Sequence, residues 1–193
     1  QVSLEGQSLA LPSPFIVIAT QNPVEYEGTF PLPEAQLDRF MVKLSIGYPS
    51  VEEEQEILRR RCERKQDAVR LTAVTNPADF LDMRRVIEDI YVHPDLERYI
   101  VELVARTRRH RQVVVGVSPR GSLALLKLSR AWAAMQGRGF VLPDDVKFFA
   151  QPALAHRMLL EPSLWGSKAV ENSIIEDILK AVPVPVFDPK NDA

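Results

Sequence analysis

The sequence has one cysteine, few glycines, no long apolar run and almost no net charge. Cys62 alone cannot form an internal disulfide, so the sequence argues against a disulfide-stabilised scaffold and against a cysteine metal site. A single cysteine also favours a reducing compartment, and we expect a cytoplasmic location. The longest apolar stretches, at 15–19 and 113–117, are far shorter than the ~20 residues that span a bilayer. We therefore expect no membrane insertion and no signal peptide. The formal charge of -2 argues against a dedicated nucleic-acid binder.

The remaining composition is that of a soluble globular chain. With 193 residues, of which 46% are hydrophobic and 26% charged, it can form one large domain or two small ones without a structural metal. The 15 prolines against 8 glycines predict capped helices joined by stiff connections. Because the chain begins at Gln1, inside a strand-like pattern, we expect it to be a piece of a longer protein.

Residues 1–49 have an α/β pattern. Alternating apolar and polar residues at 2–11 predict a half-exposed hairpin. Apolar runs at 15–19 and 41–46 predict two strands, the first of them covered on both faces in a parallel sheet. Between them, residues 34–40 predict a short helix. This region is therefore expected to be part of an α/β core.

Residues 50–193 have the pattern of successive helices. Their starts are marked by a capping box at Ser50 and by an N-cap residue or proline near Asn76, His93, Ser118 and Pro143, with a sixth helix over 171–181. The sequence thus predicts an α/β fragment over 1–49 followed by an all-helical domain over 50–193.

Asn22 is the first candidate site residue. It follows the predicted buried strand, at the edge of an α/β sheet where ligands bind, and its amide could orient a water or a phosphate oxygen. The alternative is that Asn22 and Pro23 only form the exit turn.

Arg39 is the second candidate. The residues three and four positions before it are Gln36 and Ala35, so no carboxylate pairs with it locally, and Asp38 and Arg39 are predicted to face outward. An unpaired arginine on a helix end can reach a phosphate on a neighbouring subunit. The alternative is an ordinary solvated side chain.

Arg120 is the third candidate. Ser118 and Pro119 begin a helix, so Arg120 lies in the first turn, where a cation opposes the helix dipole. A phosphate bound between the helix N-terminus and the guanidinium would remove that cost. A flexible exposed arginine explains the pattern equally well.

Other chemistry is weakly supported. The basic run from Arg106 to Arg111 lies at a helix end, where positive charge suits the dipole, and nucleic-acid contact is the less favoured reading. The three histidines lie too far apart to suggest a metal site.

Two motifs of a nucleotide site are absent from the sequence. No glycine precedes a lysine, so the sequence has no Walker A loop, and no apolar strand ends in the acidic pair that would hold Mg²⁺. This chain can therefore contribute only part of a nucleotide site, without the phosphate loop and the Mg²⁺ ligands.

Several segments resemble the MoxR family of AAA+ ATPases. Residues 15–23 (FIVIATQNP) and 27–40 (EGTFPLPEAQLDRF) are similar to its signature nearly residue for residue. Residues 116–120 (GVSPR), 137–138 (GR) and 141–146 (VLPDDV) resemble its lid domain. Gly121 departs from the pattern, because alanine is expected there and glycine costs up to ~1 kcal/mol of helix propensity.

The resemblance implies a role for each candidate. Asn22 corresponds to sensor 1, which positions the attacking water, Arg39 to the arginine finger offered in trans, and Arg120 to sensor 2. It also implies ATP and Mg²⁺ as ligands, a ring that is expected to be a hexamer, and chaperone-like maturation of protein complexes. The implied partners are a von Willebrand factor A domain protein and a client complex.

The resemblance leaves three functions open. The first is the MoxR-type ATPase, the second a related AAA+ motor acting in metal chelation or on nucleic acid, and the third a non-catalytic docking module. Because Walker A and Walker B motifs are absent, we expect the chain alone neither to bind ATP tightly nor to hydrolyse it.

Overall fold

The computed structural model describes residues 2–4, 6–21, 32–164 and 167–186. In chain order the elements are β1 (Val2–Leu4), β2 (Gln7–Leu9), α1 (Glu34–Leu37), α2 (Val51–Arg64), α3 (Pro77–Glu88), α4 (Pro94–Thr107), β3 (Val113–Val115), α5 (Pro119–Met135), α6 (Pro143–Leu154), a 3₁₀ helix (Ala155–Arg157), β4 (Leu159–Leu160), a 3₁₀ helix (Pro162–Leu164) and α7 (Lys168–Ala181). None of the described helices is long and apolar enough to cross a membrane.

One compact unit comprises Gln1–Val17 and Leu44–Met83. The predicted hairpin is confirmed, because β1 and β2 pair antiparallel with Val2 opposite Leu9. The predicted capping box is also confirmed. The Ser50 hydroxyl accepts from the Glu53 amide at 3.2 Å, while the Glu53 carboxylate accepts from the Ser50 amide at 2.8 Å.

The two strands predicted at 15–19 and 41–46 are not formed, and those predictions were wrong in detail. The backbone there joins no ladder, and Ile18 and Ile46 are 87% and 100% exposed. A parallel strand is stable only between neighbouring strands that satisfy its amides and carbonyls and cover its faces. The described residues supply no such neighbours to either segment.

The second compact unit comprises Ile18–Lys43 and Arg84–Ala193. Its core lies between α4, α5, α6 and α7, and the largest side chains that are fully buried there include Leu96, Leu103, Leu125, Leu154 and Ile174. The predicted helix starts are confirmed at Pro94, Pro119 and Pro143, whereas α7 begins at Lys168, three residues earlier than predicted.

A small antiparallel pair in this unit was not predicted. β3 pairs with β4, with Val113 opposite Leu160, and a register irregularity separates this pair from Val115 and Leu159. The pair ties the connection between α4 and α5 to the segment that follows α6. The predicted class, a partial α/β core followed by a helical domain, is confirmed, while the boundary between residues 49 and 50 stays a prediction.

Candidate functional site

Arg39 and Arg120 line the same cavity, which has a volume of about 210 Å³ and lies within the second unit. Arg39 lies in the turn after α1, and Arg120 lies in the first turn of α5. Asn22 lies outside the described residues, so its role stays a prediction. Two of the three candidate residues are thus brought together.

The helix that precedes Arg39 is shorter than predicted. α1 has only four residues and ends at Leu37, where a helix over 34–40 was expected. The Arg39 amide donates to the Gln36 carbonyl at 3.1 Å, which continues the chain as a turn. Arg39 is exposed, as predicted, and within the described part of the chain its guanidinium has no ion pair.

Arg120 is held at the start of α5 by a cap. The Ser118 hydroxyl accepts from the Arg120 amide at 3.3 Å, and Pro119 occupies the first helical position, so the predicted cap is confirmed. α5 has no acidic residue in its own first turn. The Arg120 side chain is 56% exposed, with its Nε 3.9 Å from a carboxylate oxygen of Asp38.

Asp38 is a residue of the cavity lining that the sequence analysis did not single out. It was predicted to face outward, but its side chain is only 25% exposed. Its two carboxylate oxygens each accept from the Ser118 hydroxyl at 3.2 Å, and one lies 3.2 Å from Arg157 Nε. Asp38 therefore supplies the anion that favours the N-terminus of α5.

Arg157 is the second residue that sequence reasoning missed. Its side chain is 2% exposed and donates to the backbone carbonyls of Asp38 at 3.3 Å, Phe40 at 2.6 Å and Met41 at 3.2 Å. It also donates to the Ala153 carbonyl one turn earlier. Burial lowers the pKa of the Arg157 guanidinium, while Asp38 opposes that shift. The bond to Phe40 joins residues 117 positions apart, so no local pattern could have revealed it.

His156 supports the same turn. Its Nε2 lies 3.0 Å from the Phe40 carbonyl, while its buried Nδ1 has no hydrogen-bond partner among the residues that the structure describes. Burial lowers the pKa of the His156 imidazole, and the positive charges of Arg157 and Lys43 lower it further. The neutral ring that donates from Nε2 to Phe40 is therefore the favoured form.

The electrostatic character of the cavity is cationic. Its charged lining comprises Arg39, Arg120, Lys127 and Arg157 against the single carboxylate of Asp38. Arg120 and Lys127 are seven positions apart on α5, which places both on one helix face. Exposed guanidinium groups bind phosphate oxygens well. Among the described residues, Asp38 carries the only carboxylate of this lining, and it already contacts Ser118, Arg120 and Arg157. The described lining therefore suits an oxyanion and offers Mg²⁺ little.

The start of α5 is pinned to the end of α4 by members of the basic run. Arg108 Nε donates to the Val117 carbonyl at 2.8 Å, and the Thr107 hydroxyl accepts from the Val117 amide at 2.9 Å. A Cβ on Gly116 would lie 2.5 Å from the Arg108 Cα, so glycine allows this close approach. Part of the run from Arg106 to Arg111 therefore has an internal structural role.

Two protein families match the chain in separate regions. The family described as ATPases associated with various cellular activities (AAA) matches residues 1–42, and the AAA lid domain family matches residues 105–178. The cavity combines both regions, since Arg39 lies in the first match and Arg120 in the second.

Several known proteins are similar over nearly the whole chain. The uncharacterised protein YeaC of Bacillus subtilis is 44% identical over 96% of the chain and 58% of its own length. Chaperone MoxR1 of Mycobacterium tuberculosis is 37% identical over 95% of the chain and 50% of its own length. More distantly, a magnesium-chelatase 38 kDa subunit of Acidiphilium rubrum is 28% identical over 86% of the chain and 48% of its own length.

A crystal structure of a protein from Cytophaga hutchinsonii, described as an ATPase, shares the fold with a TM-score of 0.85 and 35% identity. The match covers 96% of this chain and 58% of that one, so the chain spans little more than half the length of such relatives. With the two AAA matches and the MoxR-type similarity, these findings show that the chain belongs to the MoxR family of AAA+ ATPases.

Proposed function

We propose that the complete protein is a MoxR-type AAA+ ATPase that couples ATP binding and hydrolysis to chaperone-like remodelling or maturation of protein complexes. The observation that carries this proposal is the shared cavity, in which two exposed arginines face one space with few anions. The similarity to a protein named as a chaperone supports remodelling of protein complexes as the task of the complete protein.

Each candidate residue has a distinct role in this proposal. Arg39 is the arginine finger and stabilises charge on the phosphate of a neighbouring subunit's nucleotide. Arg120 is sensor 2 and contacts the nucleotide, while Asn22 is sensor 1 and orients the attacking water. Because Arg39 and Arg120 line one cavity, their placement supports action on the same neighbouring nucleotide.

The ligands implied are ATP and Mg²⁺. The lining fits phosphate groups, because Arg39, Arg120 and Lys127 are cations at the cavity wall. It does not fit a metal, since Asp38 is occupied by Ser118 and Arg157. We therefore assign Mg²⁺ ligands to other parts of the complete protein, where the ion would neutralise charge on the transferred phosphoryl group.

The proposed assembly and partners are supported by the resemblance to the family. We propose a ring, most simply a hexamer, in which each Arg39 reaches the next subunit. A von Willebrand factor A domain protein and a client complex are the proposed partners, and the cytoplasm is the proposed location. This chain alone is expected to be inactive, and ATP turnover by residues 1–193 at the rate of the complete protein would contradict that expectation.

A second candidate function is a motor step in metal chelation. It is favoured by the similarity to magnesium-chelatase subunits, although the identity is 28% against 37% for the chaperone relative. Both candidates use the same cavity for ATP, so they differ in the client rather than in the chemistry. Copurification of the complete protein with its client complex separates them.

The test is ATP hydrolysis by the complete protein carrying Arg39→Ala or Arg120→Ala, with assembly followed by size. We expect Arg39→Ala to lower kcat by about 10³-fold, the lower end of what an arginine finger contributes. Arg98→Ala is the control, because Arg98 is an exposed lid arginine paired with Asp95. Unchanged kcat for both cavity variants in intact assemblies would contradict the proposed roles of Arg39 and Arg120 in hydrolysis and favour a docking role for this region.

A further inference from the structure

The turn that carries Arg39 is not anchored by a buried side chain of the preceding helix. α1 has four residues, none of them buried, and the turn that follows is closed by local hydrogen bonds such as that from the Arg39 amide to the Gln36 carbonyl. The residues around Arg39 are also held by hydrogen bonds from a distant part of the chain. An arginine that must meet a phosphate needs a fixed approach, so the source of that support matters for activity.

Arg157 supplies most of this support. Its guanidinium donates to the carbonyls of Asp38, Phe40 and Met41, which flank Arg39 on both sides. These contacts use Nε, Nη1 and Nη2, so the planar fork fixes the turn in more than one direction. A lysine has a single ammonium group and could not reproduce this set of contacts.

Asp38 connects the same turn to the helix that carries Arg120. Its carboxylate accepts from the Ser118 hydroxyl and lies 3.2 Å from Arg157 Nε. Ser118 in turn caps α5 at the Arg120 amide. The turn of Arg39 and the first turn of α5 are thus joined through one carboxylate.

Arg157 itself is not free to bind a ligand. It is 2% exposed and its donors are taken by four carbonyls and one carboxylate, whereas Arg39 and Arg120 are exposed at the cavity. Resting on the proposed function, we propose that Arg157 is a positioning residue that fixes Arg39 and, through Asp38, holds it beside Arg120.

The experiment measures kcat for ATP in the complete protein with Arg157→Gln, Asp38→Asn and Arg39→Ala, alone and in pairs. We expect Arg157→Gln and Asp38→Asn each to lower kcat by about 100-fold, the scale of a small misplacement of a reacting group. In the Arg39→Ala background, either change should lower kcat by less than about threefold, because the group that it positions is absent.

The matched control is Arg138→Gln. Arg138 is also a partly buried lid arginine, pairing with both oxygens of Asp145 at 2.8 and 2.6 Å, and it does not line the cavity. We expect Arg138→Gln to lower the melting temperature as much as Arg157→Gln does but to leave kcat unchanged. That result would show that the loss of kcat in Arg157→Gln comes from positioning and not from general loss of stability.

The outcomes distinguish the two proposals. If Arg157→Gln and Asp38→Asn behave like Arg138→Gln, or lower kcat by the same factor with and without Arg39, the positioning role is overturned while the ATPase role stands. If Arg39→Ala retains full kcat, the finger role proposed for Arg39 fails, and with it the role of Arg157 in positioning it. If Arg157→Gln does not assemble, Asp38→Asn, which preserves side-chain shape, decides by the same comparison.

Discussion

At the level of single residues, the cavity combines arginines with opposite surroundings. Arg157 is buried and saturated with acceptors, whereas Arg120 is exposed and only loosely paired with Asp38 at 3.9 Å. The first arrangement suits a structural contact and the second a group that can exchange its partner for a phosphate. The burial of Arg157 could not be read from the sequence, because its acceptors on Phe40 and Met41 lie more than 100 positions away.

His156 makes the folded chain sensitive to acid. Its pKa is lowered from the ordinary 6.5, so folding favours the neutral ring and its stabilising effect is complete above pH 6.5. As pH falls through 6.5 toward the lowered folded pKa, the unfolded chain takes up the proton first and stability is lost. We predict that the melting temperature falls between pH 7.5 and pH 5.5, and by less in His156→Gln.

Glutamine is the appropriate replacement, because its amide can still donate to the Phe40 carbonyl but does not titrate. His110→Gln serves as the control for removing a histidine elsewhere in the same unit. An equal acid-induced fall in melting temperature for the unaltered chain and His156→Gln would exclude His156 as the source.

At the level of elements, the first turn of α5 requires a residue without a side chain. Gly121 was interpreted from sequence only as a loss of helix propensity. In the structure it is buried, and a Cβ there would lie 2.2 Å from Val117 Cγ1 and 3.1 Å from Leu154 Cδ2. Val117 is β-branched and fully buried, so its methyl group has little freedom to move.

We therefore predict that Gly121→Ala destabilises the chain despite its better helix propensity. The propensity gain is about 1 kcal/mol, while inserting a methyl group into a packed core costs about 1–3 kcal/mol. The expected result is a net loss of stability of up to about 2 kcal/mol in urea unfolding. At Gly139 an added Cβ would have no non-neighbouring atom within 4 Å, so Gly139→Ala should change stability by less than about 0.5 kcal/mol. A stabilised Gly121→Ala variant would contradict this packing.

The helices were predictable because their signals are local. The Ser50 capping box and the prolines at 94, 119 and 143 mark helix starts that the structure confirms. The strands at 15–19 and 41–46 were not correctly predicted, because an apolar run indicates a strand only where neighbours complete the sheet. β3 and β4 were missed because they are short and far apart in sequence.

At the level of the whole molecule, the residues that line the cavity come from two separate regions of the chain. The first family match contributes Asp38 and Arg39, and the second contributes Arg120 and Arg157. Resemblance identified Arg39 and Arg120 separately, but only the folded chain places them on one cavity. Asp38 lies within the segment that resembles the family, but its link to Arg157 could not be predicted, because that contact joins distant residues only after folding.

The central claim is that Arg39 acts on the nucleotide of a neighbouring subunit. The most direct measurement is ATP hydrolysis by the complete protein when Arg39→Ala subunits are mixed in increasing proportion with unaltered subunits, with assembly monitored throughout. We predict that activity falls with the mutant fraction while assemblies stay intact, because each altered subunit disables its neighbour's site. Full activity in intact assemblies made wholly of Arg39→Ala subunits would contradict the account.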